Sequence, residues 1–561
     1  MSSPTCTACG RASLPRLDEQ TTARDDEADS RTLRAVLQAA QGGRLAEAAA
    51  LATAALADGL EHPLLLNAAA LKLEQDGRVS EAERLLNRAI QIAPDDIAAR
   101  NALGLCLMQL DRPAEALLEF GTILKLAPAL PYAHASNGNA LLALGKVKEA
   151  ESSYRRAVAI DANQGVAMAG LAHIASRRGA FPAGRMWAKK ALAVLPGLPD
   201  AVMSLAASEL GEGEKKAAEA LIRALLGDAR LAPLERAYAN GVLGDVLDAQ
   251  NRRTEAFAAY CLCNEELQRI HAARFAAPSA LEYARAMTRF FERAQSLKPR
   301  PAVAARGSSV RGHIFLLGFP RSGTTLLEVI LEGHPNVVSL EEKETLIDAV
   351  HEYMRQPEDL ERLFLAPAMT LESLRDAYWQ RVADAGVDVA GKVFVDKNPL
   401  NTLKLPLINR LFPDAKILFA CRDPRDIVLS CFRHRFKMSA PIYELLSVEG
   451  AARYYDAVMH LLVRMTSVLT LNPCLVRHED LVTDFAREMK RICAALGLDW
   501  APGMGDFAQR TKDRDVMTPS TAQLVRGLNT EGVGQWRRYR DQLASVLPLL
   551  EPWVKRFYYD P

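Results

Sequence analysis

The sequence predicts an all-α helical-repeat solenoid followed by an α/β domain with a central parallel sheet. From about residue 31 the chain repeats itself with a period of about 34 residues, which is typical of a solenoid built from helix pairs. From about residue 312, short apolar runs alternate with amphipathic helical patterns, as in parallel strands joined by helices. The length of 561 residues also exceeds what one hydrophobic core usually holds, so at least two domains are expected.

Turn-forming and small residues mark each repeat. The turn residues are Gly43, Gly77, Asp111, Gly145, Gly179 and Gly213. Small side chains, which let helices approach closely, follow each turn at Ala48, Ala82, Ala116, Ala150, Gly184 and Ala218. Prolines that cannot continue a helix end several units at Pro94, Pro128 and Pro196. A further unit turns at Asn251 after a slip in phase, so the sequence predicts seven units.

This pattern resembles the tetratricopeptide repeats, in which two antiparallel helices per unit stack into a superhelix. A generic alanine-rich bundle would not keep its phase over so many units. The concave face of such a solenoid binds extended peptides or partner proteins, so the repeats are expected to recruit a protein or peptide. The alternative, that they only support the second domain or build a homo-oligomer, stays open.

The second domain is organised around residues 314–328, which have the pattern of a strand, a phosphate loop and a helix. Gly318 and Gly323 allow the loop to turn tightly. The amides expected to open the helix toward a bound anion belong to Ser322, Gly323, Thr324 and Thr325. Thr324 stands where the Walker pattern requires lysine, and the positive charge lies on Arg321 instead. Its guanidinium can form two hydrogen bonds with a phosphate or sulfonate.

Charged side chains follow two later apolar strands. One strand ends in Asp396 and Lys397, and the next is followed directly by Arg422. Parallel sheets bind ligands at the carboxyl ends of their strands, so these residues are expected near the phosphate loop. Ser430 lies in the helix after Arg422, and both side chains could bind one phosphate.

Two carboxylates, Glu341 and Glu342, follow a short extended segment after the loop helix. Transfer of a group to a hydroxyl needs a base for the acceptor proton, and a carboxylate beside an anion site is suited to that task. The alternative is a pair of acidic residues that only stabilises the start of a helix.

The ordered set of these motifs resembles the sulfotransferases that use 3′-phosphoadenosine 5′-phosphosulfate (PAPS), over residues 312–561. The resemblance is carried by the loop Gly318–Thr325, by Arg422 with Ser430, and by Asp396–Pro399. Within that family the tyrosylprotein branch is the most similar, through Thr324-Thr-Leu, His334-Pro, Glu341-Glu342 and the run Arg410–Lys416. The resemblance implies a P-loop-like sulfotransferase domain.

The resemblance also implies roles in catalysis. Glu342 corresponds to the catalytic base, and Lys397 to the lysine that neutralises charge on the bridging oxygen as the sulfonate leaves. Ser520 corresponds to the serine that hydrogen-bonds the sulfonate, and Arg321 would stabilise the same group.

For the nucleotide, the resemblance assigns Arg422 and Ser430 to the 3′-phosphate of PAPS. His478 follows the strand that ends beside the nucleotide, at a position where tyrosylprotein enzymes usually carry tyrosine. His434 and Gln535 also depart from basic positions of the family. The implied cofactor-binding set therefore joins Arg422, Ser430 and His478 to Arg321 and the loop residues Ser322, Gly323, Thr324 and Thr325, with PAPS as co-substrate and no metal.

The implied function is transfer of a sulfuryl group from PAPS to a hydroxyl, most simply a tyrosine of a protein or peptide recruited by the repeats. One alternative is a P-loop nucleotide-dependent kinase, in which Asp396 would hold magnesium. The other is a non-catalytic repeat scaffold. The residues that face the acceptor lie outside the nucleotide motifs, so a small phenol, a sugar or a glycan stays open as the acceptor.

The composition gives further limits. The 69 basic and 68 acidic residues give a net charge of +1, so no basic surplus indicates nucleic acid. Nine cysteines show no paired framework, and Cys6 with Cys9 lies in a polar segment that favours a disordered tail over a metal site. The sequence contains no apolar run of about 18 residues, so neither a membrane span nor a secretory signal segment is predicted. A cytoplasmic protein is therefore expected. This departs from the membrane-anchored animal tyrosylprotein enzymes that the second domain resembles, and the resemblance then implies a bacterial arrangement.

The predicted domain limits follow from these patterns. Residues 1–30 form the disordered tail, and residues 31–270 form the tetratricopeptide-repeat domain. Residues 271–311 form a connecting helix and a linker, and residues 312–561 form the PAPS-dependent sulfotransferase domain.

Overall fold

The structure is a computed structural model that describes residues 26–293, 310–513 and 527–560. Within these ranges the predicted fold class is confirmed: a helical-repeat solenoid precedes an α/β domain with a central parallel sheet. The chain divides into two compact units, the first ending at Leu221 and the second beginning at Ile222. The second unit therefore contains the last helix pair together with the α/β domain.

Fourteen helices of the described region form seven consecutive pairs. They are α1 Asp26–Gln41, α2 Leu45–Ala57, α3 Pro63–Gln75, α4 Val79–Ile92, α5 Ile97–Gln109, α6 Pro113–Leu126, α7 Pro131–Ala143, α8 Val147–Ile160, α9 Gly165–Arg177, α10 Phe181–Val194, α11 Pro199–Gly211, α12 Lys215–Leu226, α13 Pro233–Ala249 and α14 Arg253–Phe275. The first helix begins at Asp26, so the last five residues of the predicted tail, 26–30, belong to this helix. Cys6 and Cys9 lie outside the described residues.

The predicted turn positions have the backbone conformation that their residue types favour. Gly43, Gly77, Asp111, Gly145, Gly179, Gly213 and Asn251 all have a positive φ, between 58° and 92°. Asp111 and Asn251 adopt the left-handed conformation that glycine takes in the other units. The small side chains after the turns are buried, and Ala82, Ala116 and Ala150 are fully inaccessible to solvent. Close helix packing at these positions explains why the pattern requires small residues there.

A five-stranded parallel sheet forms the centre of the α/β domain, in the order β2-β3-β1-β4-β5. The strands are β1 Gly312–Gly318, β2 Val337–Glu341, β3 Val393–Lys397, β4 Lys416–Cys421 and β5 Cys474–Arg477. One face of β1 buries Ile314 and Leu316 against the helices that flank the sheet on that side. The opposite face buries Phe315 in an aromatic cluster with Tyr378 and Phe412. Burial on both faces explains the continuous apolar runs of the sequence.

The helices of the α/β domain are α16 Thr324–Leu331, α17 Ile347–Tyr353, α18 Asp359–Leu365, α19 Ala368–Asp384, α20 Leu405–Leu411, α21 Pro424–Arg433, α22 Ala440–Tyr443, α23 Val448–Val468, α24 His478–Thr483, α25 Phe485–Leu496, α26 Phe507–Asp513, α27 Arg540–Leu543 and α28 Leu547–Arg556. Short 3₁₀ turns include Pro399–Lys404 and Gln535–Tyr539. In the described part of the chain, no helix combines the length and apolar character needed to cross a bilayer.

The last repeat and the helix after it pack directly on the α/β domain. In α14, the Asn264 amide donates to the backbone oxygen of Phe432 at 2.8 Å. The helix α15, Ala280–Arg293, places the Tyr283 hydroxyl 2.8 Å from the backbone oxygen of Met354. The predicted connecting helix is therefore an integral part of the second compact unit, and the linker after it lies outside the described residues.

Candidate active site

A cavity of about 460 Å³ opens at the carboxyl ends of the strands in the second unit. This volume is within the usual range of a small-molecule site. Its wall includes residues that follow four different strands, namely Arg321 after β1, Asn398 after β3, Arg422 after β4 and His478 after β5. The predicted residues Gly323, Thr324, Thr325, Glu342 and Ser430 line the same cavity.

The loop between β1 and α16 has a backbone that only certain residues allow. Gly323 precedes the helix with a φ of 98°, and a Cβ atom there would lie 2.9 Å from Nδ1 of His478. A side chain at Gly318 would meet the Ser322 hydroxyl, which is buried and has no hydrogen-bond partner in the structure. The two glycines thus bring backbone amides and the Ser322 hydroxyl to the start of α16, the positive end of that helix.

Two arginines extend this anion-binding surface. Arg321 donates from Nε to the Ser430 hydroxyl at 3.0 Å, and Arg422 donates to the backbone oxygen of Arg321 at 3.1 Å. A second nitrogen of Arg422 donates to the backbone oxygen of Gly532. The Nε atom of Arg422 is buried and has no hydrogen-bond partner among the residues that the structure describes. A buried donor of this kind is costly unless a ligand accepts from it, so it fits a site for an anion.

His478 completes this end of the cavity as a neutral side chain. Burial lowers the pKa of His478 to about 3, and the charges of Arg422 and Arg321 act in the same direction. Its Nδ1 atom is also buried and has no hydrogen-bond partner within the described part of the chain. Neutral imidazole adds a hydrogen-bonding group beside the loop without adding charge.

Glu342 reaches the cavity from the end of β2 and is held there by a buried lysine. Its backbone has a φ of 49°, and its amide donates to the backbone oxygen of Lys397 at 2.7 Å. Its carboxylate lies 2.9 Å from Nζ of Lys397, and its side chain is 52% exposed. The adjacent carboxylate of Glu341 lies 2.7 Å from the same Nζ but is only 6% exposed and does not line the cavity. Only Glu342 of the two glutamates is therefore accessible to a molecule in the cavity.

Lys397 has a different neighbourhood from the one that the resemblance implies. It is fully buried, it does not line the cavity, and Glu328 is a third carboxylate at 3.4 Å from its Nζ. Burial alone would favour the neutral amine, but the carboxylates of Glu328, Glu341 and Glu342 raise the pKa of Lys397 above its ordinary value. In this structure Lys397 reaches the cavity only through Glu342. The hydroxyl predicted at Ser520 lies outside the described residues.

Asp396, the carboxylate that a kinase would use for magnesium, is placed on the other face of β3. It accepts hydrogen bonds from the Tyr378 hydroxyl at 2.8 Å and from the Thr345 hydroxyl at 2.7 Å. Burial raises its pKa to about 6, and it does not line the cavity. Because successive residues of a strand point to opposite faces, only its neighbour Lys397 faces the side of α16. Asp396 therefore stabilises the aromatic layer behind the sheet.

Several residues that line the cavity were missed by the sequence reasoning. Asp426, in the first turn of α21, accepts from the amides of Gly534 and Trp536 at 2.7 and 2.8 Å and so fixes the segment after residue 527. The other charged residues missed are Asp245 and Asp248 from α13, Arg433 from α21, and Arg538. Only the spacing of Asp426, Ser430 and Arg433, which places them on one helical face, could have indicated part of this set.

Comparison with known proteins agrees with this geometry. Residues 313–502 match the sulfotransferase family model, and residues 73–136 and 135–164 match two tetratricopeptide-repeat models. Residues of this chain are 24% identical over 258 positions to protein-tyrosine sulfotransferase A of Caenorhabditis elegans, covering 44% of this chain and 67% of that protein. An uncharacterized protein of Aquifex aeolicus (strain VF5) is 27% identical over 263 residues, covering 45% of this chain.

The match covers only about a third of the Aquifex protein, 34% of its length. Among solved structures, a tetratricopeptide repeat protein from Parabacteroides merdae aligns with a TM-score of 0.35 at 17% identity, over 43% of this chain and 93% of that one. The family matches fall on the same two parts of the chain as the helix pairs and the parallel sheet. The chain therefore combines residues that match tetratricopeptide repeats with a region, residues 313–502, that matches the sulfotransferase family.

Proposed function

We propose that the protein transfers a sulfuryl group from PAPS to a hydroxyl acceptor, a tyrosine of a protein or peptide. The observation that carries the proposal is the meeting of two different groups in one cavity. Arg321, Arg422 and the loop amides offer an anion-binding end, and the carboxylate of Glu342 offers a base on the same wall. The protein-tyrosine sulfotransferases to which the domain is similar support the choice of tyrosine.

The donor would bind across the phosphate loop. The amides at the start of α16 and Arg321 would hold the 5′-phosphosulfate, because they present the donors that an anion needs. The Ser322 hydroxyl is buried beside Gly318 and does not line the cavity. Arg422 and Ser430 would bind the 3′-phosphate, which distinguishes PAPS from other adenylates. The buried Nε of Arg422 and Nδ1 of His478 are groups that such a ligand would satisfy.

In the chemical step, the acceptor oxygen attacks sulfur while the bond between sulfur and the 5′-phosphate oxygen breaks. The electron pair of that bond leaves with 3′-phosphoadenosine 5′-phosphate (PAP), and the acceptor proton passes to Glu342. Arg321 and the loop amides stabilise the charge that develops on the leaving oxygen. Lys397 keeps Glu342 in place through the 2.9 Å contact between Nζ and its carboxylate.

The repeats would recruit the acceptor in this proposal. Helical-repeat solenoids present extended surfaces for peptides, and binding energy from remote parts of a substrate raises the rate of the chemical step only when that surface is present. A protein acceptor should accordingly depend on the repeats more strongly than a small phenol does.

Isothermal calorimetry with PAP, adenosine 5′-phosphate (AMP) and ATP tests the donor assignment. PAP is expected to bind at least tenfold more tightly than AMP, because one hydrogen bond to a charged group contributes about 1.5 to 3 kcal/mol. Equal affinities for PAP and AMP would contradict the assignment of Arg422 and Ser430. Transfer of label from radiolabelled PAPS to N-acetyl-tyrosinamide then tests the acceptor chemistry.

A further inference from the structure

The charges that line the cavity cancel, and half of the negative ones come from the last repeat. Four arginines face it, at positions 321, 422, 433 and 538, and four carboxylates face it, at positions 245, 248, 342 and 426. Asp245 and Asp248 belong to α13, which precedes the sulfotransferase-family residues by more than sixty positions. A site for a polyanion gains from net positive charge, so carboxylates there need a physical explanation.

The carboxylate of Asp248 contacts side chains of the α/β domain. Its carboxylate lies 2.8 Å from the guanidinium of Arg433 and 3.3 Å from that of Arg538. It also accepts a hydrogen bond from the Tyr539 hydroxyl at 2.6 Å, and the residue is only 8% exposed. One buried carboxylate is thus the shared counter-ion of two cavity arginines.

Asp245 provides a contrast on the same helix. It accepts from Tyr260 at 2.9 Å inside its own repeat and from Arg435 at 2.5 Å. Arg435 does not line the cavity, so the ion pair of Asp245 holds no arginine of the cavity wall. Asp248 alone of the two carboxylates engages arginines that face the ligand space.

The two arginines lie beside the proposed nucleotide-binding residues. Arg433 follows Ser430 by three residues on the same face of α21, about 4.5 Å further along the helix axis. Arg538 belongs to the segment whose Gly532 oxygen accepts from Arg422. Both guanidiniums are therefore near the end of the cavity where Arg422 and Ser430 would bind a phosphate.

We propose that Arg433 and Arg538 are further ligands for the donor nucleotide, and that Asp248 of the last repeat competes with the nucleotide for them. The proposal rests on the proposed PAPS-dependent function and assigns a role to a repeat residue inside the catalytic cavity. In the protein without nucleotide, Asp248 balances two cations that would otherwise be partly buried and unpaired. When a phosphate binds, it shares these guanidiniums with Asp248.

This competition predicts opposite effects on stability and affinity. Asp248→Asn keeps the size of the side chain and an oxygen for Tyr539, but it removes the counter-charge. The protein should become less stable, because Arg433 and Arg538 lose their ion pair. PAP should bind about five- to tenfold more tightly at low salt, because its phosphate no longer competes with a carboxylate. A residue with a purely structural role would lower stability and affinity together.

The experiment compares four full-length variants by calorimetry with PAP and by thermal unfolding. Asp248→Asn should lower the unfolding temperature and tighten PAP binding, and the gain should shrink as salt is raised. Arg538→Gln, at a side chain that is 34% exposed, should weaken PAP binding about threefold or more, as should Arg433→Gln. Asp348→Asn is the matched control, because Asp348 pairs with Arg381 at 2.5 Å but does not line the cavity.

The outcomes separate this inference from the proposed function. If the wild-type protein failed to bind PAP, both the proposed function and this inference would be contradicted. Wild type that binds PAP, together with an Asp248→Asn variant whose PAP affinity is unchanged or weaker, would overturn only the competition. Unchanged PAP affinity in Arg538→Gln and in folded Arg433→Gln would show that these arginines are not donor ligands. Tighter binding in the Asp348→Asn control would mean that the effect reflects total charge and would also overturn the proposal.

Discussion

The two adjacent glutamates of the site should respond differently to the same substitution. Glu342→Gln changes a carboxylate that lines the cavity and is half exposed, whereas Glu341→Gln changes one that is almost completely buried. Both carboxylates contact Nζ of Lys397, so the two variants remove the same charge from the same cluster. We expect Glu342→Gln to lower the turnover and Glu341→Gln to lower the stability of the protein.

The magnitudes follow from the contacts. Loss of a general base costs at least about a hundredfold in turnover, which is about 2.7 kcal/mol in activation free energy. Glu342→Gln should change stability by less than about 1 kcal/mol, because a half-exposed ion pair is largely screened by solvent. Glu341→Gln should cost about 1.5 to 3 kcal/mol of stability, the usual contribution of a hydrogen bond to a charged group, since Lys397 keeps Glu328 and Glu342 as partners.

The assay combines three measurements on wild type and both variants. Turnover is followed as transfer of label from radiolabelled PAPS to N-acetyl-tyrosinamide at saturating donor. Calorimetry with PAP checks that the donor site is intact, and thermal unfolding reports stability. The expected pattern for Glu342→Gln is low turnover with PAP affinity within about threefold of wild type, as loss of a base alone would give.

Two results would refute the reasoning. If Glu341→Gln lost turnover while Glu342→Gln kept it, the buried carboxylate would be the base and the cavity geometry around β2 would be wrong. If neither variant lost turnover, proton removal would depend on another group, and the role given to Lys397 in holding Glu342 would fail with it.

Three further predictions concern the donor site and the fold. Arg422→Ala should weaken PAP binding at least about tenfold in calorimetry, whereas Arg381→Ala on the surface should not; equal losses would contradict a phosphate contact. Stability should fall as the pH is lowered from 7 to 5.5. Burial lowers the pKa of His313 and of His478 to about 3 in the folded protein. The unfolded chain, whose histidines have the ordinary pKa of about 6.5, therefore binds more protons in this range, and acid favours unfolding. Burial also lowers the pKa of His173, to about 4, and that of His62, which act in the same direction. Burial raises the pKa of Asp396, to about 6, and those of Asp426 and Glu479, which oppose it, and a denaturation midpoint that rises on acidification would disprove the prediction. A fragment beginning at residue 222 should fold and bind PAP. A fragment beginning at residue 311 should not fold, because it lacks α15 with its buried Met287, Phe290 and Phe291. PAP-dependent thermal shift compares the two fragments.

The fold could be predicted because its signals are periodic and local. Each turn needs a residue with a positive φ, so a glycine recurs at the same position of most repeats and shows their period. Asp111 and Asn251, which replace glycine in two repeats, are residue types that tolerate this conformation. The apolar strands are continuous because both faces of the sheet are buried. The first helix begins earlier than expected because four of its first five residues, Asp26, Glu27, Asp29 and Ser30, are polar, and periodicity cannot separate them from a polar tail.

The site could be predicted only where a short motif contains the chemistry. Arg321, Gly323 and Thr325 are neighbours in sequence, so their meeting at one helix start requires no knowledge of the fold. Lys397 shows the limit of this reasoning. Its motif indicates a site residue, but only the structure shows that Glu328 and Glu341 surround it and that it faces Glu342 and not the cavity.

The contribution of the last repeat lies beyond any local pattern. Asp248 and Arg433 are separated by 185 residues, and in sequence each is an ordinary charge on an amphipathic helix. Their ion pair exists because α13 and α14 belong to the same compact unit as the parallel sheet. A solenoid that served only for recruitment would need no buried carboxylate in the wall of the candidate site, since burying a charge is costly even when it is paired. The presence of Asp248 in that wall therefore argues that the last repeat is a structural part of the candidate site and not only an adaptor.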